Sequence, residues 1–243
     1  MEITLSAPPS QPAVVWDFVP NTEALEKAGD DGGWAQSLVG RVNRVEIGTP
    51  LTYDLISMWN DATPLSDQIK ATLDKSDYLL VRMACSFMPD MRCRFTWGRF
   101  SAQFACLDES EPPHDVLTFD LYPRDITEQT LRTRKLSLDP SLKMTFGEAS
   151  LNMGYAEERM IFEPRVSGAG LLSRTASWTF QAEGHQGGLA GSREMYAIIR
   201  KTKGCNACVR FSVTAEVHGR LGPIPVRQAS GGGQSSPFRL QVD

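Results

Sequence analysis

Residues 209–218, VRFSVTAEVH, carry the clearest secondary-structure signal in the chain. Polar residues alternate there with apolar ones, which are Val209, Phe211, Val213, Ala215 and Val217. Because successive side chains of a β-strand point to opposite faces, this alternation predicts a strand with one buried and one solvated face. A helix would instead place apolar residues three and four positions apart.

Two further alternating runs, residues 79–87 and 93–97, flank a short turn at Pro89–Met91. Pairing Phe87 with Cys93 would place the apolar side chains of both runs on one face, whereas a shift by one residue would mix arginines into it. The two runs therefore predict a β-hairpin. Its inner face would carry Met83, Cys85, Phe87, Cys93, Phe95 and Trp97, and its outer face Arg82, Arg92 and Arg94.

Short strand-like segments follow along the chain at intervals of about ten residues, with turn residues between them. They are residues 116–122, 130–138, 142–146, 159–162, 173–182 and 194–201. This spacing, without a strand–helix–strand rhythm, predicts a mainly β fold of the antiparallel β-sandwich type or a related barrel. One or two short helices are expected with it, at residues 22–28 and 63–75.

The chain is expected to form a single β-rich domain over residues 1–226. About its first 50 residues are expected to be irregular because of their prolines, apart from the short helix and a strand over residues 38–47, where side chains alternate. Residues 227–243 contain the run Ala229–Ser236, which is rich in Gly and Ser and predicts a flexible linker. After it, Phe238–Val242 alternates weakly, and we expect it to dock as a terminal edge strand.

Charge is distributed unevenly in this chain of 243 residues, of which 41% are hydrophobic and whose formal net charge is −4. Residues 1–163 hold 15 Lys+Arg and 25 Asp+Glu, a net of −10, and residues 164–243 hold 10 and 4, a net of +6. The composition excludes a disordered polyelectrolyte. An acidic partner, either another part of this chain or another molecule, is therefore expected first at residues 164–243.

The five cysteines predict free thiols in a reducing compartment, because their number is odd and the chain is long enough to fold without disulfides. The start at Met1 lacks the basic and apolar regions of a signal peptide, which favours a cytoplasmic location. Cys205 and Cys208 form a CxxC pair that a redox dithiol or half of a zinc site could use. No helix follows it and no second ligand pair faces it, so an incidental turn pair is favoured, with no metal and no cofactor.

Catalytic patterns are absent from the sequence. It contains no GxSxG and no HExxH, and its three histidines share no ligand spacing. The loops at residues 108–115 and 184–192 are acidic and glycine-rich, respectively, and could build a small-ligand or catalytic site at one end of a sandwich. Because no catalytic motif is found, the sequence favours a non-enzymatic function, and an enzyme is the alternative.

Basic side chains are predicted to line two outer faces, one on each amphipathic pair of strands. The first would carry Arg82, Arg92 and Arg94, with Arg99 as a further candidate. The second would carry Arg200, Lys201, Lys203 and Arg210, around the turn of a second predicted hairpin that strands 194–201 and 207–217 would form. Such faces can contact phosphates, but the aromatic residues that would stack on bases point inward, which argues against nucleic acid. Pore-forming proteins also use amphipathic hairpins, yet any sandwich strand shows the same alternation.

These observations favour a cytoplasmic β-sandwich module that binds another protein, alone or as a subunit of a multiprotein assembly. The alternative is an enzyme or small-ligand-binding protein whose site is built by loops at one end of the sandwich. A flat charged face would favour the first function, and a pocket with convergent polar groups the second. No run of about 18 apolar residues occurs, so no transmembrane helix is predicted. The oligomeric state and the identity of the partner are left open.

Overall fold

The computed structural model describes residues 12–18, 42–58, 67–91, 93–107, 115–126, 134–139, 142–146, 165–182, 188–221 and 224–242. Within these ranges the chain folds into two antiparallel β-sheets that pack face to face, with one short helix, α1 (Asp67–Leu73). The predicted fold class, a mainly β protein of the antiparallel sandwich type, is confirmed.

The first sheet has six strands, numbered in chain order. They are β1 (Pro12–Phe18), β2 (Asn43–Gly48), β3 (Leu51–Asp54), β4 (Ser76–Met88), β6 (Val116–Tyr122) and β12 (Gly191–Thr202). The order across the sheet is β1-β2-β4-β12-β6, and β3 pairs with β4. The long pair β4–β12 forms the centre of this sheet, with Met83 opposite Met195.

The second sheet has seven strands. They are β5 (Cys93–Cys106), β7 (Asp125–Ile126), β10 (Arg165–Ala169), β11 (Thr175–Gln181), β13 (Ala207–Leu221), β14 (Ile224–Gln234) and β15 (Phe238–Arg239). Their order is β14-β13-β5-β11-β10-β7, and β15 also pairs with β13. Strands β8 (Arg134–Asp139) and β9 (Leu142–Phe146) form a separate two-stranded sheet.

The core lies between the two large sheets and is built from their alternating apolar faces. All five apolar residues of the stretch 209–218 are at most 1% exposed, as the alternation predicts. Phe87 of the first sheet contacts Phe95 and Phe180 of the second, with ring centroids 5.4 and 5.7 Å apart. Edge-to-face contacts of this kind add about 0.5–1.5 kcal/mol each to the burial of the rings.

Both predicted hairpins are wrong, because the strands of each pair lie in different sheets. β4 belongs to the first sheet and β5 to the second, so the turn at Pro89–Met91 connects the two sheets. The same holds for β12 and β13. Alternation specifies which face of a strand is buried, and an arch that brings two inner faces together across the core satisfies it as well as a hairpin does.

The C-terminal stretch predicted to be a flexible linker is instead the paired strand β14. It runs beside β13, from Ile224 opposite Leu221 to Gln234 opposite Ser212. Gly233 has a packing reason, since the indole of Trp16 in β1 lies directly over its Cα. Beyond it, β15 pairs with β13 and the next residue, Leu240, is buried, so the terminal segment docks.

Replacing Gly233 with alanine is expected to lower the free energy of unfolding by about 1–3 kcal/mol, because the new methyl group would collide with the Trp16 ring. Urea denaturation followed by circular dichroism measures this change. Gly48→Ala is the matched control, since the nearest atoms to a Cβ there are 3.8 Å away, an ordinary contact. Equal stability of Gly233→Ala and Gly48→Ala would contradict the packing of Trp16 on β14.

The N-terminal part is more regular than the sequence suggests. β1 and β2 are paired antiparallel strands. The expectation of irregular structure is therefore wrong for β1, whereas β2 confirms the predicted strand over its residues 43–47. Pro12 is the first residue of an edge strand, a position where its missing N–H costs no sheet hydrogen bond. The predicted helix at 63–75 is present as α1, while the predicted helix at 22–28 and strand at 159–162 lie outside the described residues.

A disulfide joins Cys106 at the end of β5 to Cys205 just before β13. The prediction of five free thiols is therefore wrong. The pairing of Cys106 with Ala207 explains the bond, because it brings the Cα atoms of the two cysteines to 5.8 Å. Cys205 is thus bonded outside its CxxC pair. Disulfides persist mainly in oxidising compartments, so the cytoplasmic location stays a prediction that the thiol state of the native protein tests.

The remaining cysteines, Cys85, Cys93 and Cys208, are free. Burial raises the pKa of Cys85 to about 12. Burial also raises the pKa of Cys208, the second member of the CxxC pair. Both thiols are therefore protonated at neutral pH and weak as nucleophiles.

Candidate binding face

The basic side chains predicted to bind a partner do not form one surface. Arg82 on β4 and Arg200 on β12 lie on the outer side of the first sheet, whereas Arg94 on β5 lies on the outer side of the second. The prediction that Arg82, Arg92 and Arg94 share one face is wrong, because β4 and β5 are in different sheets. Arg92 itself lies outside the described residues.

Arg82 is a buried member of an ionic cluster, with 6% of its surface exposed. Its guanidinium group donates a hydrogen bond to Glu194, whose other oxygen accepts one from the hydroxyl of Tyr196 at 2.6 Å. Burial by itself lowers the pKa of Arg82, but the hydrogen bond and charge of Glu194 outweigh it and raise the pKa overall. Arg82 is therefore not available to a partner, contrary to the prediction.

Of the two lysines predicted to bind a partner, Lys201 is held by contacts within the protein and Lys203 is exposed. The Nζ atom of Lys201 donates to the carboxylate of Asp77 at 2.7 Å and to the carbonyl of Cys205 at 3.2 Å, and its side chain is 15% exposed. Lys203 is exposed in the turn after β12, where its backbone N–H donates to the carbonyl of Lys75. Lys201 thus fixes the turn, and Lys203 projects from the end of the sandwich.

The outer side of the second sheet carries mainly polar side chains, aligned in rows across neighbouring strands. From β11 through β5 to β13, these rows are Gln181–Trp97–Glu216, Thr179–Arg99–Thr214, Ser177–Ser101–Ser212 and Thr175–Gln103–Arg210. Arg99 donates to the Ser177 hydroxyl across the strands at 3.3 Å. The rows offer many hydrogen-bond donors and acceptors on one plane.

This surface is basic. We name its arginines the arginine face, which consists of Arg94, Arg99, Arg165, Arg210 and Arg239. Four of them are exposed and Arg94 is half-buried. The acidic side chains on the same side, among the described residues, are Asp125 and Glu216. The excess of guanidinium groups produces a positive potential over the sheet.

Trp97 lies on this outer side, although the alternation predicts it in the core. Phe95 pairs with Val217 and Trp97 with Glu216, so Thr96 is an extra residue in β5. Such a β-bulge reverses the inward and outward sense of the side chains that follow it. Beside Trp97 is a cavity of about 410 Å³, lined by Thr96, Trp97, Gln181, Ala182 and Glu216.

The loops of the alternative function fall largely outside the described residues, which leave out 108–114 and 183–187. Within the part of the chain that the structure describes, no three His, Cys, Asp or Glu side chains form a group that could hold a metal ion. Over the same residues, no helix has the length and apolar character that crossing a membrane requires.

Comparison with known proteins gives no assignment. No protein family matches the sequence, and no curated protein is similar to it. A solved structure described as a pore-forming protein superposes on 80% of this chain and 91% of its own, with 8% identity and a TM-score of 0.36. That score is too low to support an inference about this chain.

Of the basic residues predicted for the two outer faces, the arginine face contains Arg94, Arg99 and Arg210. Arg165 and Arg239 were missed because they lie in short strands with little alternation. The signal that points to them is the charge count, since three of the five arginines come from the basic residues 164–243. Trp97 was missed because nothing in the sequence marks a bulge at Thr96.

Proposed function

We propose that this protein is a non-enzymatic β-sandwich module that binds an acidic surface of another protein through the arginine face. The observation that carries the proposal is the exposure of Arg99, Arg165, Arg210 and Arg239 on one open side of a sheet. Arginine is enriched in protein interfaces, because its planar group forms paired hydrogen bonds with carboxylates.

The size of this side supports a protein partner. Five adjacent strands, β10, β11, β5, β13 and β14, are separated by four spacings of about 4.8 Å, so they span roughly 19 Å. About ten residues of β5 at about 3.3 Å each give a length of about 33 Å. The resulting area of roughly 600 Å² is at the lower end of what one partner contributes to an interface of standard size.

The character of the side chains also supports it. The serine and threonine hydroxyls between the arginines are short and lose little conformational entropy on binding. They provide hydrogen bonds to a partner, while the guanidinium groups steer an acidic surface toward the sheet. Charge complementarity of this kind makes association faster at low ionic strength and slower at high ionic strength.

The test is a charge reversal of the arginine face. The protein, its variant Arg99→Glu/Arg210→Glu and the control Lys70→Glu/Lys75→Glu are used to purify partners from the native source. The control makes the same change of net charge at two exposed lysines, one in the last turn of α1 and one just after it, next to the first sheet. We expect one partner to be retained by the protein and the control, and its affinity, measured by titration, to fall by about 100-fold or more in the variant.

Circular dichroism and melting temperature establish that the variant is folded. A partner that binds the variant as tightly as the control would contradict the proposal, as would the absence of any partner that the charge reversal removes. An affinity independent of salt concentration would also oppose it, because the attraction is between exposed charges.

A further inference from the structure

The C-terminal segment, Phe238–Val242, lies between the edges of the two sheets. Its first two residues form β15, which pairs with β13 of the second sheet, and the N–H of Leu240 donates to the carbonyl of Ala207 at 2.9 Å. Val242 then forms a β-bridge with Thr52 of β3, which belongs to the first sheet. The segment therefore crosses from one sheet to the other as an extended chain.

The side chains of this segment alternate between the core and solvent. The ring of Phe238 packs on that of Phe211, with centroids 5.4 Å apart, and Leu240 is 8% exposed. Arg239 and Gln241 between and after them are exposed. A sheet edge recognises an extended peptide in this way, because main-chain hydrogen bonds provide affinity and alternate side chains provide specificity. The site accepts an aromatic ring and, two residues later, an aliphatic side chain.

The surroundings of the segment are held in place without it. β13 pairs with β5 over residues 207–219, and β3 pairs with β4. Ser235 exchanges hydrogen bonds with the backbone of Phe211 and so fixes the end of β14, and Ser236 and Pro237 then lead to the segment. Terminal segments with few backbone hydrogen bonds open at a lower free energy than central strands. The site can therefore become vacant while the sandwich stays folded.

The segment leaves one polar group at the far end of the site without a partner. The hydroxyl oxygen of Thr52 is buried and accepts or donates no hydrogen bond among the described residues. Val242, the residue bridged to Thr52, has an apolar side chain that is 50% exposed. An unsatisfied buried hydroxyl is unfavourable, so the chain's own segment is an incomplete ligand for this site.

From these contacts we infer that the edge of β13 beside Phe211 is a peptide-binding site, which the C-terminal segment occupies and from which a partner displaces it. The ligand is an extended segment of another protein, with an aromatic residue followed two positions later by an aliphatic one. The inference does not rest on the proposed function, because this ligand is apolar and binds at a strand edge.

Competition between the two occupants sets the affinity of the site. A segment tethered by a short linker acts as a ligand at about millimolar concentration. The apparent affinity for a second peptide is therefore reduced by the fraction of molecules in which the site is filled. Weakening the chain's own segment should increase the affinity for a peptide added from solution.

The experiment is a titration of the full chain with a fluorescently labelled peptide that has the sequence of residues 236–243, followed by fluorescence anisotropy. We expect the unaltered protein to bind it saturably, and Phe238→Ala/Leu240→Ala to bind it at least about tenfold more tightly. A peptide with alanine at both of these positions should bind the variant at least about tenfold more weakly. The matched control is Arg239→Ala/Gln241→Ala, which truncates two exposed side chains of the same segment and should bind as the unaltered protein does.

Four results would overturn the inference. The first is the lack of saturable binding by the unaltered protein up to about 1 mM peptide, the order of the tethered concentration. The second is equal affinity of the unaltered protein and Phe238→Ala/Leu240→Ala, and the third is equal affinity of this variant for the two peptides. The fourth is loss of the folded state, measured by circular dichroism, in both this variant and the milder Leu240→Ala, since the segment would then be an indispensable part of the core.

Discussion

Replacing Glu194 with alanine is expected to lower the free energy of unfolding by about 3–5 kcal/mol, the usual cost of removing one partner of a buried ion pair. Glu194 is the carboxylate that faces the guanidinium of Arg82, and their side chains are 15% and 7% exposed. Without it, the buried positive charge loses the attraction that offsets its desolvation. The hydroxyl of Tyr196 loses its acceptor at the same time.

Denaturation by urea measures this loss, and two variants locate its cause. The double variant Arg82→Met/Glu194→Leu should recover most of the stability, because it removes both charges and fills the space with apolar groups. Asp115→Ala breaks the ion pair with Arg174, whose side chains are 54% and 61% exposed, and should cost less than about 1 kcal/mol. A loss in Glu194→Ala as small as that in Asp115→Ala would show that the Arg82 cluster is not buried in solution.

Replacing Phe211 with alanine is expected to destabilise the protein by about 3–5 kcal/mol, since it removes a fully buried ring and leaves a cavity. Phe211 lies between Phe100 and Phe238, with centroid distances of 5.2 and 5.4 Å. Its backbone also exchanges hydrogen bonds with Ser235. The substitution therefore loosens the docked C-terminal segment together with the core.

The measurement combines urea denaturation with proteolysis, which detects release of the C-terminal segment. Thr214→Ala is the control, because it truncates an exposed side chain on the same strand and should change stability by less than about 0.5 kcal/mol. Phe211→Leu should retain more stability than Phe211→Ala, since it leaves a smaller cavity. If Phe211→Ala kept wild-type stability, the aromatic contact that holds β15 would be wrong.

The sequence predicts the faces of the strands better than their partners. The inner side chains of β13 and the inward position of Phe87 follow from alternation alone, because a period of two leaves no choice once one face is apolar. Strand partners depend on contacts far apart in the chain, which a local pattern does not contain. The two predicted hairpins are therefore arches in the structure, and the glycine-rich run of β14 predicts a linker because the packing of Gly233 against Trp16 is invisible in the sequence.

For the predicted binding residues too, the sequence predicts the direction of a side chain but not what packs over it. Arg94 and Arg210 point outward as the alternation predicts, but Arg82 is buried because the outer side of the first sheet is itself covered. Whether an outward side chain meets water depends on what packs over the sheet. The position of Trp97 depends on one extra residue in β5, and no residue type signals such a bulge.

The arches delay the pairing of β5 while the chain is being synthesised. Both hydrogen-bonding partners of β5, the strands β11 and β13, follow it in the sequence, and about 70 residues separate β5 from the nearer one. At the usual rate of about 5–20 residues per second, a ribosome needs roughly 4–14 seconds to make that interval. During this time both edges of β5 lack their hydrogen-bonding partners, and only the strands already made, such as β4, are present to cover its apolar face. The nascent protein is therefore expected to depend on chaperones until its last third has been synthesised.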